Sequence, residues 1–252
     1  MSVETGSMQT RTLAIANRKG GTGKSTLTVN LAAELGSRGY RVLVVDIDPQ
    51  GHAGLGFGIR STDAENTSHV AFRKPWADLI AAVRRTSEPG VDLIAADRDF
   101  DGAIAVADPR CLAKALQPVK PHYNVVLLDS PPAAANVMVC ALLAADGVLV
   151  PTALDYLALD GVRLFARSYH QVMLHQRATL LGLAIAPMQV DFRRTSKSWY
   201  CTNCWRDLAA IRCCAVFARM SASQKHSATV NRCGAIARKR APSKTFASWP
   251  TT

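Results

Sequence analysis

Residues 12–26 read TLAIANRKGGTGKST, and this stretch decides the fold. Its first six residues form a short apolar run of the kind found in buried parallel strands. A glycine-rich loop follows, and from Lys24 the apolar residues recur with helical spacing until glycines at 36 and 39 end the pattern. Residues 41–46 (RVLVVD) are a second apolar run. Strand, loop, helix and strand within about 35 residues predict a βαβ unit with a right-handed crossover.

The same alternation of apolar runs and helical patterns continues along the chain. We expect further strands at 91–96, 123–129, 147–151 and 180–190, and helices at 75–85, 111–116, 133–144 and 157–175. Buried strands that alternate with helices predict an α/β fold, a largely parallel, doubly wound sheet with helices on both faces. Ligands of such folds bind beyond the carboxyl ends of the strands, so a functional site is expected in the loops that follow them.

The glycine-rich loop has the composition of a phosphate-binding loop. Gly20, Gly21 and Gly23 allow the backbone to curl with its N–H groups pointing inward, and the dipole of the following helix favours an anion there. Lys24 would supply positive charge to the β- and γ-phosphates, and the hydroxyl of Ser25 suits Mg²⁺. Because strand, glycines and helix coincide, we expect ATP with Mg²⁺ at Lys19, Gly20, Gly21, Thr22, Gly23, Lys24, Ser25 and Thr26.

Three aspartates follow apolar runs and are therefore expected at the carboxyl edge of the sheet, close to this loop. Asp46 and Asp48 come at and just after the end of the second run, and Asp129 ends the run at 123–129. An acid at the end of a strand can simply cap a helix or lie in a solvated loop. Carboxylates at the carboxyl edge of the sheet would instead lie where α/β folds bind their ligands.

Five segments together resemble one known family. Residues 19–26 (KGGTGKST) resemble the deviant Walker A motif of the ParA/MinD ATPases, whose P-loop begins with an additional lysine. The resemblance continues at 46–51 (DIDPQG), 127–132 (LLDSPP), 144–151 (AADGVLVP) and 156–161 (YLALDG), in the family's order and over most of residues 11–192. The Asp-Pro-Gln-Gly turn favours the ParA branch over MinD. The sequence is therefore identified as resembling a ParA/Soj-type partition ATPase.

The resemblance implies three catalytic residues. Lys19 is expected to reach across a nucleotide-sandwiched homodimer to the phosphates bound by the other subunit. A second cation on the γ-phosphate is what the charge that develops in phosphoryl transfer requires, in addition to Lys24. Asp48 is expected to position or activate the attacking water.

The resemblance also implies a metal site and a switch segment. Mg²⁺ would be held by Ser25, with Asp46 and Asp129 near it, Asp129 acting as the Walker B acid. Residues 130–132 (SPP) resemble the segment that senses the γ-phosphate, where the prolines stiffen the chain. The sequence evidence therefore places ATP, Mg²⁺ and the residues that respond to them at one edge of the sheet.

The function implied by the resemblance is ATP-dependent DNA partition. ATP binding would drive homodimerisation and binding to nonspecific DNA, and hydrolysis stimulated by a ParB-like centromere-binding protein would release it, in the cytoplasm on the nucleoid. No apolar run approaches the ~20 residues of a membrane-spanning helix, so we expect no membrane partner. Three alternatives remain open, namely a MinD-like positioning ATPase, an Mrp-like iron–sulfur carrier ATPase and an inactive frameshifted remnant.

The net charge of +11 is unevenly distributed along the chain. Residues 1–192 contain 18 basic and 18 acidic residues, whereas residues 193–252 contain 12 basic residues and one acid, Asp207. Five of the seven cysteines also lie in these last residues, at positions 201, 204, 213, 214 and 233. We therefore expect a flexible leader at 1–10, a P-loop ATPase domain at 11–192 and an anomalous basic tail at 193–252.

Four explanations of the tail compete. Its cations would neutralise DNA phosphates, and its cysteines suggest zinc or an iron–sulfur cluster, although neither spacing matches a known site. The fourth explanation, an out-of-frame segment, accounts best for the loss of acids, the enrichment in Cys, Trp, Arg and Ser, and the loss of apolar periodicity at one point. It predicts that another reading frame of the coding DNA after codon 193 restores a family-like C-terminus.

Overall fold

The computed structural model describes residues 10–61, 63–74, 77–101, 106–132, 135–153, 156–176 and 182–188. These residues form strands and helices in alternation, as the sequence predicts. In chain order they are β1 (Arg11–Ile15), α1 (Lys24–Ser37), β2 (Val42–Asp46), α2 (His52–Gly56), α3 (Val70–Arg73), β3 (Val83–Arg85), β4 (Val91–Ile94), α4 (Cys111–Leu116), β5 (Val125–Asp129), α5 (Ala135–Ala144), β6 (Gly147–Ala153), α6 (Tyr156–Gln176) and β7 (Leu183–Met188).

The strands form one seven-stranded sheet in the order β3-β4-β2-β5-β1-β6-β7. Neighbouring strands are parallel except for β3 and β4. Ile15, the last residue of β1, lies level with Asp129 of β5 and Leu149 of β6, and Asp46 of β2 lies level with Asp129. The carboxyl ends of β2, β5 and β1 therefore meet at one edge. The predicted largely parallel sheet is confirmed.

The helices cover both faces because the connections run in two directions. α1 leads from β1 across β5 to β2, whereas α4, α5 and α6 lead the opposite way along the sheet. Right-handed crossovers that run in opposite directions lie on opposite faces. In agreement with this, α1 contacts α2, while α4 contacts α3 and α5. The predicted doubly wound arrangement is confirmed.

Successive residues of the central strands are buried against different faces. Leu43 and Val45 of β2 belong to the apolar cluster that includes Leu112 of α4 and Ala141 of α5. Val44, between them, points to the other face and is equally inaccessible to solvent. A parallel strand covered on both faces needs apolar residues at every position, which is why these strands appear in the sequence as continuous apolar runs.

The helix predicted at 75–85 is wrong. In its described part, Ile80–Ala82 form one 3₁₀ turn and Val83–Arg85 form β3, which pairs antiparallel with β4. Leu79 and Ala82 are buried in the apolar cluster that includes residues of α4 and α5. A short turn that buries two residues three positions apart has the same apolar spacing as one turn of a helix. Pairing with the edge of the sheet outweighs the local helical pattern here.

Several expectations fall on residues outside the described ranges. These are the leader up to residue 9, the tail at 193–252 with its cysteines, and the first two residues of the helix predicted at 133–144. Thr10 is described, and its hydroxyl lies 2.8 Å from the backbone oxygens of both Lys120 and Tyr123, either of which can accept its hydrogen. Among the described helices, none combines the length and apolarity of a membrane span.

A buried histidine bridges the ends of β2 and β4. The last pair of the β2–β4 ladder is Val45 with Ile94, and beyond it the two strands are joined through His69. Its Nδ1 accepts the backbone N–H of Asp97 at 2.9 Å, so Nε2 carries the hydrogen and donates it to the Ile47 carbonyl at 3.2 Å. Burial lowers the pKa of His69 to about 4. The imidazole is therefore neutral, and its tautomer is fixed by its two partners.

Two helical glycines should respond in opposite ways to alanine. A Cβ on Gly36 would lie 2.2 Å from the Pro89 carbonyl oxygen, whereas a Cβ on Gly161 would meet nothing within 4 Å. We expect Gly36→Ala to lower the free energy of unfolding by about 1–3 kcal/mol. Gly161→Ala should raise it by about 0.5–1 kcal/mol. Urea denaturation of both variants tests this, and changes of the same sign would contradict the packing of α1 on residue 89.

The neutral state of His69 should make stability depend on pH. Between about pH 6.5, the ordinary pKa of histidine, and about pH 4, the unfolded chain binds a proton that the folded chain does not. The stability that neutral His69 confers is thus present above this window and lost as the pH falls through it. Relative to the non-titrating His69→Gln, the native free energy of unfolding should fall by up to about 3 kcal/mol. Parallel pH curves for the two proteins would contradict the assignment.

Candidate functional site

The loop between β1 and α1 is shaped by glycines at two positions with left-handed backbone. Gly21 has φ of 69° and Gly23 has φ of 88°, conformations that side chains disfavour. Gly23 immediately precedes α1, which has no side-chain cap, and its carbonyl accepts the Leu27 N–H at 2.8 Å. The first N–H groups of this 14-residue helix are thus directed at the loop, where an anion can receive them.

Side-chain hydrogen bonds attach this loop to the neighbouring strand β6. The amide of Asn17 donates to the Pro151 carbonyl at 2.8 Å, and its oxygen accepts the Lys19 N–H at 3.1 Å. The hydroxyl of Thr22 lies 3.4 Å from the Lys19 carbonyl. Asn17 was not predicted as a site residue, because a polar residue at the end of a strand is common in any turn. Its contacts fix the start of the loop relative to the sheet.

Lys24 is the charged group of the loop and is buried, with 6% of its surface exposed. Its Nζ is 3.5 Å from the Lys19 carbonyl oxygen. Burial lowers the pKa of Lys24, and the nearby carboxylates of Asp129 and Asp48 oppose that effect. A partly desolvated ammonium that has few partners of its own is well suited to receive phosphate oxygens.

Asp129, at the end of β5, has no exposed surface. Its Oδ1 accepts a hydrogen bond from the Thr28 hydroxyl at 3.1 Å, and its Oδ2 is buried with no hydrogen-bond partner among the described residues. Burial raises the pKa of Asp129 to about 7, with the nearby hydroxyls of Ser25 and Thr28 acting in the opposite direction. A buried carboxylate oxygen without a partner, close to a serine hydroxyl, fits a divalent cation.

Asp46, at the end of β2, is also fully buried, but both of its carboxylate oxygens have partners. Oδ1 accepts the Asp48 N–H at 3.1 Å and Oδ2 accepts the Gly54 N–H at 3.0 Å. Burial raises the pKa of Asp46 well above its usual range, and the neighbouring Asp129 raises it further. Asp46 therefore holds the backbone that follows β2 in place. Its predicted role near Mg²⁺ stays a prediction.

Asp48 lies in the turn that follows and is 6% exposed. Its Oδ1 accepts the Gln50 N–H at 3.0 Å, and its carbonyl accepts the Gly51 N–H at 2.8 Å. Its charge acts on both Lys24 and Asp129, since it raises the pKa of each. The turn 48–51 therefore presents a carboxylate to the loop, as the sequence predicted from strand ends alone.

The predicted site residues divide into two groups. Lys24, Ser25, Asp46, Asp48 and Asp129 lie together at the start of α1: Asp129 contacts Thr28 of that helix, Asp46 lies level with Asp129, and Asp46 accepts the Asp48 N–H. The side chains of Lys19, in the loop, and Thr26, in α1, are in contrast exposed to solvent.

Besides Asn17, three described residues of the site were missed by the sequence analysis. The hydroxyl of Thr28, one helical turn after Lys24, lies within hydrogen-bonding distance of both the Lys24 carbonyl and Asp129, and its single hydrogen is available to either. The only signal for it was a polar residue inside an otherwise apolar helix face. Ser68 and His69, which contact the backbone of Asp46 and Ile47, gave no signal, because they come from a loop without any periodic pattern.

The described residues do not form a complete metal site by themselves. No three His, Cys, Asp or Glu side chains among them converge closely enough to hold an ion. Mg²⁺ is normally bound through one or two carboxylates together with phosphate oxygens and water. The arrangement of Ser25 and Asp129 therefore suits a cation that arrives with a nucleotide.

Comparisons with known proteins agree with this geometry. A family model described as an AAA domain (AAA_31) matches residues 10–181. The sporulation initiation inhibitor protein Soj of Bacillus subtilis is 35% identical over 186 residues, 72% of this chain and 73% of its own length. The chromosome-partitioning ATPase Soj of Thermus thermophilus is 38% identical over 179 residues, 69% of this chain and 68% of its own length.

A solved structure has the same architecture. Cobyrinic acid a,c-diamide synthase from Mycobacterium smegmatis, with bound ADP and magnesium, superposes with a TM-score of 0.68 at 31% sequence identity. The match covers 78% of this chain and 82% of that one. The family predicted from the motifs is thereby confirmed, and the chain belongs to the ParA/Soj group of the ParA/MinD family of P-loop ATPases.

Proposed function

We propose that the chain binds ATP with Mg²⁺ and hydrolyses it to drive DNA partition. The observation that carries the proposal is the convergence of a buried lysine and two buried aspartates, Lys24, Asp48 and Asp129, on one phosphate-binding loop. Buried charges are costly unless they are compensated, so such a cluster is expected only where a ligand completes it.

The loop supplies what the phosphates of ATP need. Its N–H groups and the N-terminus of α1 would bind the β-phosphate, and Lys24 would neutralise charge on the β- and γ-phosphates. The lowered pKa of Lys24 reflects burial that a phosphate would offset. The chromosome-partitioning ATPase from T. thermophilus has 38% of matched residues in common with this chain, which supports ATP as the nucleotide.

Ser25 and Asp129 would hold Mg²⁺ beside those phosphates, with Asp46 behind them. The buried Oδ2 of Asp129, which has no hydrogen-bond partner among the described residues, supports this assignment. When bound, the ion would supply positive charge that offsets the negative charge developing on the phosphates. Thr28 would keep Asp129 oriented through its hydrogen bond to Oδ1.

Asp48 would orient the attacking water and accept its proton. Its position in a turn held by the Gln50 and Gly51 N–H groups gives the carboxylate a defined place next to the loop. Lys19, which is exposed, would contact the phosphates of a second subunit in an ATP-bound dimer. The exposure of Lys19 supports this role because a buried side chain could not cross a subunit interface.

The further steps follow the predicted partition cycle. The ATP-bound dimer would bind nonspecific DNA on the nucleoid, and a ParB-like centromere-binding partner would stimulate hydrolysis and release. The relatives named as chromosome-partitioning proteins support this cycle. The 12 basic residues at 193–252 would supply much of the charge for DNA if that segment contributes to binding.

Substitutions at the loop and at the turn should separate binding from hydrolysis. We expect Lys24→Ala to abolish ATP binding, because it removes the charge that meets the phosphates. Asp48→Ala should still bind ATP but lower kcat for phosphate release by about a hundredfold or more. Lys74→Ala, at an exposed lysine paired with Glu65, is the control and should change neither. Unchanged hydrolysis in Asp48→Ala would remove its catalytic assignment.

The same variants should differ on DNA. We expect Asp48→Ala with ATP and Mg²⁺ to remain bound to a nonspecific duplex, because it cannot leave the ATP state. Lys24→Ala should show no ATP-dependent binding. Fluorescence anisotropy of a labelled duplex at fixed salt measures both. If all variants bind equally with and without ATP, DNA binding is an effect of the basic tail and the proposed nucleotide switch is wrong.

A further inference from the structure

We propose that His69 is a positioning residue for Asp48, and that Ser68 assists it. The inference rests on the catalytic role of Asp48 proposed above. His69 does not touch the phosphate loop in any described contact; its partners are the backbone of Ile47 and Asp97 and the rings of Phe72 and Phe100. Its effect on catalysis would therefore act through the peptide that carries Asp48.

The hydrogen-bonded ladder between β2 and β4 ends before the segment that carries Asp48. After the Val45–Ile94 pair, no further register pair joins the two strands in the described residues. Ser68 bridges this gap: its N–H donates to the Ala95 carbonyl at 2.9 Å and its hydroxyl donates to the Asp46 carbonyl at 2.5 Å. Carbonyl groups that would otherwise lose their ladder partners are thereby satisfied.

His69 continues the bridge by one residue. Its ring accepts the Asp97 N–H and donates to the Ile47 carbonyl, so it spans from the end of β4 to the residue before Asp48. On the opposite side, the Ile47 N–H donates to the Asp129 carbonyl at 3.0 Å. The Ile47 residue is thus held from β5 on one side and from His69 on the other.

The ring itself is held in place by its neighbours. Phe100 stacks on it with centroids 4.1 Å apart and an interplanar angle of 26°. Arg73 forms an ion pair with Asp97 at 2.5 Å and lies over the Phe100 ring. Both hydrogen-bonding atoms of His69 therefore have fixed positions. An apolar ring of similar size could fill the same space but could make neither hydrogen bond.

These contacts predict a specific kinetic effect. Without the His69 bond, the Ile47 carbonyl loses its partner, and the peptide leading into Asp48 is free to shift. The phosphate loop is attached elsewhere, to β6 through Asn17, so nucleotide binding should not depend on His69. A small displacement of a catalytic group lowers the rate while leaving ground-state binding intact.

The test compares three variants of the full-length chain. His69→Phe keeps an aromatic ring but removes both hydrogen bonds, and we expect kcat for ATP hydrolysis to fall about ten- to a hundredfold. The dissociation constant for a non-hydrolysable ATP analogue should be unchanged. His69→Gln, whose amide can accept at one end and donate at the other, should recover part of the lost kcat. Leu112→Val, which disturbs the same buried apolar cluster at a residue with no described contact to His69, is the matched control.

The outcomes are distinguishable. A kcat loss in His69→Phe no larger than that in Leu112→Val, or a parallel loss of analogue binding, would overturn the proposal. If His69→Phe does not fold, Ser68→Ala replaces it: it removes the bond to the Asp46 carbonyl, and an unchanged kcat there overturns the proposal equally. Asp48→Ala is measured alongside. If it keeps full hydrolysis, the proposed role of Asp48 fails; if it loses hydrolysis while His69→Phe does not, only the present inference fails.

Discussion

Lys24, Asp46 and Asp129 are withdrawn from water at one edge of the sheet, and an ionised side chain in such surroundings costs several kcal/mol unless partners compensate it. The burial is visible in their pKa values, which are lowered for the lysine and raised for the two aspartates. The protein compensates only part of this cost, with the Thr28 hydroxyl and with backbone N–H groups directed at Asp46. The remaining desolvation cost can be offset by a ligand that brings negative phosphate charge to the lysine and positive metal charge to the aspartates.

The sheet order makes this cluster possible. β1 lies between β5 and β6, and β2 lies on the other side of β5, so three chain segments that are distant in sequence end side by side. Each end carries one part of the site: the phosphate loop after β1, the Asp46–Gly51 segment after β2 and Asp129 at β5. Because the strands are parallel, the register that aligns Asp46 with Asp129 is the same register that packs the core beneath them. Core packing and site geometry therefore depend on the same pairing.

Sequence alone located the charged groups of the site but not what holds them. Apolar runs ending in Asp46 and Asp129 are local signals, and parallel topology then brings their ends together, so both could be predicted. The contacts of Ser68 and His69 form because a loop folds back between two strands. They join residues that are distant in sequence, so no local sequence pattern predicts them. The helix expected at 75–85 failed for a related reason, since pairing of Val83–Arg85 with the sheet edge is a long-range event. Expectations about the tail concern residues outside the described ranges.

The bond from Asn17 to the Pro151 carbonyl has a consequence for the order of events during synthesis. The loop at residues 19–26 is synthesised before β5 and β6, the two strands that neighbour β1 in the sheet. Domains emerge N-terminus first, and contacts between remote segments form late. The hydrogen bond that fixes the start of the loop at residues 19–26 can therefore form only after translation has passed residue 151. A nascent chain shorter than that carries the whole motif but lacks the Pro151 carbonyl that fixes its start.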